Sequence, residues 1–170
     1  MALTKTLTWT RANSITAVQF IALLGIAVVA PLFHIQWLTG PIVNAMLFIA
    51  VVLLGSQNAI LLAILPSPIA LGVGLLPAPL APMIPFIMIS NVIMILGFHY
   101  LRDKNFWLGV GVASILKFIF LWSTSYLVID LLLKKELAIQ ISQIMSWPQL
   151  YTALIGGLIA YLFLKSIKKI

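Results

Sequence analysis

One lysine stands apart from the other ionisable groups of this 170-residue chain. Lys117 lies inside NFWLGVGVASILKFIFLW, about eleven residues past Phe106, or roughly 16 Å along a helix, with apolar neighbours on both sides. If that run crosses a bilayer, the amine sits near mid-membrane, where a lysine costs ~2.5–3.5 kcal/mol unless something compensates. An ion pair is the simplest compensation, and the chain holds only three acids. Asp103 falls in a turn before the run, and Glu136 in a segment beyond it. Asp130 is thirteen residues further along the same helix, about 19 Å away. None is placed to pair. Several arrangements remain open: a neutral amine, bonding to backbone carbonyls or to Asn91, snorkelling toward the interface, or a cavity that receives an anionic ligand.

Asn91 lies midway along the preceding apolar run and, if the two helices are antiparallel neighbours, reaches the level of Lys117. It serves either as an interhelical hydrogen-bonding group or as a ligand contact. Ser114, Lys117, Leu121 and Ser125 share one helical face by their three- and four-residue spacing, with Trp122 and Ser123 beside them. The plain alternative for such serines is a bond to their own backbone. Asn44, His34, Gln36 and Trp37 add polar and aromatic groups at one end of the chain's second run, and Gln149, Tyr151 and Thr152 do so at the start of the last. Trp37 is equally an interface anchor or a stacking platform.

Other chemistries find no support. Two scattered histidines, His34 and His99, do not make a metal site. With no cysteine, the chain offers no disulfide framework, thiolate metal site or iron–sulfur cluster. There is no buried acid pair, no His–Glu cluster and no serine nucleophile with a nearby base, so no enzyme and no cofactor is expected. No glycine-rich phosphate loop is present to bind ATP. The formal charge of +7 forms no continuous basic stripe, and nucleic acid is not an expected partner.

The elements that must hold these residues follow from composition. Hydrophobic residues make up 63% of the chain and charged residues 8%. A soluble fold needs more polar surface than that, so the apolar excess is expected to face lipid. Each crossing takes roughly 20 apolar residues. The chain reads as one all-α integral membrane domain, 1–170, a polytopic bundle of six transmembrane helices near 15–33, 40–54, 58–76, 82–100, 106–133 and 147–164. The first run is too long for a signal core and lacks a clear cleavage site, so it is expected to remain as a span. Pro66 and Pro68 fall inside the third span and require a kink or break there. The fifth exceeds a bilayer's needs and is expected to tilt or project.

Six crossings place both termini on one side. Lys5, Arg11, Arg102, Lys104, Lys165, Lys168 and Lys169 then share that side, while Lys134 and Lys135 lie opposite. The positive-inside rule makes the richer side cytoplasmic in a multi-pass protein of the cell membrane, its basic residues meeting anionic headgroups. Trp9, Trp37, Trp107 and Trp147 fall near span ends, where indoles favour the interface. The connections 34–39, 75–81 and 134–146 are then external.

Four stretches, GPIVNAMLFIAVVLLG, LLPAPLAPMIPFIMISN, NFWLGVGVASILKFIFLW and WPQLYTALIGGLIAYLFLKSIKK, give the chain a flavour and architecture that resembles the substrate-binding S component of energy-coupling factor (ECF) transporters. The resemblance implies capture of a vitamin-like small molecule outside. A transmembrane coupling subunit and a pair of ATPase subunits would then drive import. It also implies a pocket built from the first outer loop and the outer halves of the fourth to sixth helices, here at Trp37, Asn91, Lys117, Trp122, Ser125 and Gln149. Docking to the coupling subunit would use small residues of the first helix, here Ala22, Gly25, Ala27 and Ala30. The chain departs from the family pattern in having no two alanines of that helix four apart. An anionic substrate is expected because Lys117 lacks a partner. The alternatives are a standalone small transporter or channel, which would need an internal repeat or a continuous polar path, and a structural membrane subunit of a larger complex.

Overall fold

A computed structural model describes residues 11–76, 78–132 and 143–170. The expectations that rest on Lys5, Trp9, Lys134, Lys135 and Glu136, and on the side chains of Arg11, Gln36 and Asp130, lie outside the described residues. The described residues are helical, with no strand among them. Helix α1 runs Arg11–Val29 and tightens into a 3-10 turn, Ala30–Phe33. Helix α2 is Gln36–Ile64, α3 is Pro66–Gly72, and a second 3-10 turn, Ala78–Met83, leads into α4, Ile84–Leu101. Helix α5 is Phe106–Leu132 and α6 is Trp147–Ser166.

Five stretches are long and apolar enough to cross a membrane: Asn13–Phe33, Trp37–Gly72, Ala81–Leu101, Phe106–Val128 and Trp147–Ser166. The molecule is a helical membrane protein by this measure. The bounds differ from the sequence reading mainly in the second stretch, where expected spans 40–54 and 58–76 form one helical tract of 36 residues.

That tract is interrupted at Gly55, whose φ of 82° and ψ of 166° lie far from helical values. A side chain is strained at such a φ, and glycine is not. The break strands helix-end carbonyls that a bilayer would leave unsatisfied. Side chains answer them: Asn58 Nδ2 donates to the Leu54 carbonyl at 2.9 Å, and Arg102 Nη1 donates to the Val51 carbonyl at 3.1 Å. Beyond Gly55 the chain runs back. Asn58 and Leu61 share a cavity wall with Asn13, Ala17 and Ile21 of α1, while Pro66, Ser67 and Ala70 share one with Pro31 and the first turns of α2. The expected proline break occurs at Leu65. Pro66 opens α3, a position where its missing N–H removes no helical hydrogen bond.

Helix α2 packs most extensively on α6, and α4 on α5. Close approach between α2 and α6 depends on glycine. A Cβ at Gly156 would lie 2.7 Å from Asn44 Cβ and 2.9 Å from both the Ala45 nitrogen and the Pro41 carbonyl oxygen. Small residues let membrane helices meet at their backbones, where dispersion replaces the hydrophobic drive that lipid does not supply. A large apolar cluster fills the end of the bundle near Arg102, centred on Phe48 and Phe98, whose rings meet edge to face at 4.8 Å. A smaller one, with Leu76, Met83, Leu121 and Met145, closes the other end. The polar side chains of the interior lie between them.

The four small residues of α1 do not share a face. Ala27 and Ala30 are buried in the chain's own core, with Leu23 one turn earlier, whereas Ala22 and Gly25 face outward among Ile21, Ile26 and Val29. The correction is one of helical phase, since the i, i+4, i+7 set Leu23, Ala27 and Ala30 points inward and positions 22 and 25 lie roughly 110° and 165° away around the helix.

Candidate functional site

Three helices bring their buried polar groups to one point. Lys117 of α5 is 3% exposed, and Asn44 of α2 and Asn91 of α4 are each 2% exposed. Lys117 Nζ donates to Asn44 Oδ1 at 2.6 Å and to Asn91 Oδ1 at 2.8 Å. Both lie within hydrogen-bonding distance. Among the alternatives left open by the sequence, the amine is held by side-chain amides, with Asn91 as expected and Asn44 as a second holder. It neither snorkels nor leans on backbone carbonyls.

The amides are themselves positioned. Asn44 Nδ2 lies 3.5 Å from Thr152 Oγ1 on α6, and Thr152 Oγ1 donates to the Gln149 carbonyl at 3.2 Å. Gln149 Nε2 donates to the Ile144 carbonyl at 3.1 Å. Thr152 can stand so near α2 because Gly40 faces it without a Cβ; one built there would sit 2.8 Å from Thr152 Cβ. Thr39 ties the start of α2 to the end of α1 by donating to the Ala30 carbonyl at 2.9 Å.

A cavity of about 90 Å³ adjoins this cluster. Lys117, Asn44, Asn91, Thr39, Ser67 and Gln149 supply its polar wall, and Val43, Leu75, Leu76, Ile87 and Met145 part of its apolar wall. No carboxylate among the described residues lines it. Asp103 lies in the α4–α5 turn, with Oδ1 3.5 Å from Arg102 Nε. An ammonium carries three donors, and two are spent on the asparagines. The third is available to an acceptor in the cavity.

Of the six residues expected at a binding site, Asn91, Lys117 and Gln149 line this cavity; Trp37, Trp122 and Ser125 do not. Trp37 is 63% exposed near the start of α2. Trp122 is 46% exposed and packs edge-on against Tyr126 at 5.4 Å. Ser125 is buried, but its hydroxyl donates to the Trp122 carbonyl at 2.7 Å. The reason is angular: five residues past Lys117 turns Trp122 far from the lysine's direction on the helix, and Ser125 lies two turns up, where backbone bonding takes its hydroxyl. Ser114, one turn below Lys117, is fully buried with no hydrogen-bond partner for its hydroxyl.

Asn44, Thr39 and Ser67 are the polar wall residues, among those described, that sequence reasoning did not assign to the site. Asn44 carried a usable signal, an amide in the apolar run IVNAMLFIAVV, of the same kind that marked Asn91. Ser67, between two prolines, carried none. Compared with protein-family profiles, with curated proteins and with solved structures, the chain has no match.

Proposed function

We propose that this chain is a membrane-embedded binding subunit that captures a small organic anion from outside the cell and hands it to partner subunits for uptake. The single observation that carries this reading is the Lys117 amine, buried at mid-helix, held by two neutral amides, unanswered by any carboxylate among the described residues of its cavity wall and adjoining a void. An ionisable group at that depth marks a functional site by default. A lysine kept only for structure would have no use for the cavity beside it.

The proposed arrangement has six crossings, the fold of an ECF S component. The tract Trp37–Gly72 crosses twice, out of phase at Gly55, since 36–54 and 56–72 each span about 25–28 Å at the helical rise. The cavity then lies toward the end of the bundle opposite Arg102, Lys104, Lys165 and Lys169, and the positive-inside rule makes its end external, with both termini cytoplasmic. A transmembrane coupling subunit and ATPase subunits would supply the energy for import. Ala22 and Gly25, the exposed pair of the small residues on α1, are the positions from that helix offered to such a partner.

The experiment is mass spectrometry of small molecules released from gently purified protein, with equilibrium binding of whatever is found to the wild type, Lys117→Ala and Asn91→Ala. A co-purified organic anion whose binding both variants weaken supports the reading. Protein that copurifies with other polypeptides and no small molecule, or a ligand whose binding neither variant alters, overturns it in favour of a structural subunit or a site elsewhere.

A further inference from the structure

We infer that the substrate is a monocarboxylate with a short apolar body. This rests on the binding reading above and narrows it by charge, by donor count and by volume. Among the described residues, the cavity wall contains one ionisable group, Lys117. Burying an uncompensated charge is costly, so the ligand that leaves the site neutral is a monoanion. A dianion such as a phosphate ester would exchange one stranded cation for one stranded anion, and a neutral solute would leave the cation as it stands.

The donors point the same way. The ammonium's two bonds run to Asn44 and Asn91, leaving one N–H for the ligand. Both amide oxygens already accept from Nζ, so the groups these side chains have free for a ligand include their NH₂ donors. A carboxylate is acceptor-only and meets such a set without an unpaired donor of its own. A phosphate, with more oxygens to satisfy, meets a wall whose remaining surface includes Val43, Leu75, Leu76, Ile87 and Met145. Those side chains favour a hydrocarbon body beyond the carboxyl carbon.

Volume sets the length. The cavity holds about 90 Å³, whereas sites for drug-sized ligands run to about 300–1,000 Å³. A cavity of about 150 Å³ accommodates benzene. By proportion this one takes on the order of four heavy atoms with its walls in place, which matches a carboxylate of two or three carbons better than a ring-bearing nutrient.

The test uses full-length protein in lipid nanodiscs and four probes: propionate, its uncharged isostere propionamide, sulfate as a dianion of equal heavy-atom count, and octanoate. Binding is read by ligand-detected NMR and by the shift in unfolding temperature. Propionate should bind, with propionamide and sulfate about 10- to 100-fold weaker, the range for a charge-assisted bond left unmade. Octanoate should bind more weakly than propionate. The comparison among probes uses wild-type protein alone, so it stands even if a pocket variant fails to fold; where Lys117→Met folds, it should lose the preference for propionate over propionamide. Sulfate or octanoate binding more tightly than propionate, in a manner lost in Lys117→Met, overturns the monocarboxylate or the size limit and leaves the binding subunit intact. Absence of binding by every probe, with no small molecule released from the purified protein, overturns both.

Discussion

Replacing Asn91 with leucine should cost more stability than replacing Lys117 with methionine, although the lysine carries the charge. In Asn91→Leu the buried ammonium keeps only its 2.6 Å bond to Asn44. A hydrogen bond to a charged group is worth about 1.5–3 kcal/mol in soluble proteins, and interhelical bonds in membranes reach about 1.7 kcal/mol. A loss near 2 kcal/mol is therefore expected. In Lys117→Met the same two bonds vanish and two amide oxygens lose their donor, at about 1–2 kcal/mol each. Removing the cation returns the ~2.5–3.5 kcal/mol that placing it at mid-bilayer required. The two contributions nearly cancel. In the Lys117→Met background, Asn91→Leu should then be almost free, giving a coupling energy near 2 kcal/mol in the double-mutant cycle. Thermal unfolding in a defined detergent, followed by circular dichroism, reads this as a drop of about 4–8 °C for Asn91→Leu alone. Equal cost of Asn91→Leu in both backgrounds would refute the claim that this amide holds the ammonium.

Two further outcomes test the frame around the site. Gly156→Ala places a Cβ against Asn44 and the α2 backbone, so it should destabilise by about 1–3 kcal/mol and weaken ligand binding with it; Gly25→Ala, with nothing within 4 Å of the added carbon, should be neutral or slightly stabilising. Compartment-sensitive reporters fused at either terminus should both report the cytoplasm. Reports from opposite sides would remove the six-span arrangement.

Much of the fold was legible because lipid imposes a simple grammar. Every backbone donor must be paired within its helix, and every outward face must be apolar. The runs ending at Phe33 and Leu101 and those beginning at Phe106 and Trp147 could therefore be located from composition and proline alone. The break beside Pro66 was readable for the same reason, since proline removes backbone hydrogen bonds locally. The stranded state of Lys117 was also visible, because depth along a helix and the scarcity of acids are both one-dimensional facts.

Helical phase and crossing geometry were not. Whether Trp122 and Ser125 face Lys117's cavity, or Ala27 and Ala30 face a partner, depends on how each helix is rotated against neighbours far away in sequence, and nearly uniform apolarity leaves no polar stripe to fix that rotation. Asn44 reaches Lys117 across 73 positions only because Gly40 and Gly156 let α2 and α6 meet at their backbones and set that register. The sequence by itself determined that a lysine would lie at mid-helix with no acid placed to pair with it. The tertiary packing decided which oxygens hold it and left the small void at its side, because side-chain contact between helices is fixed by where their backbones can touch.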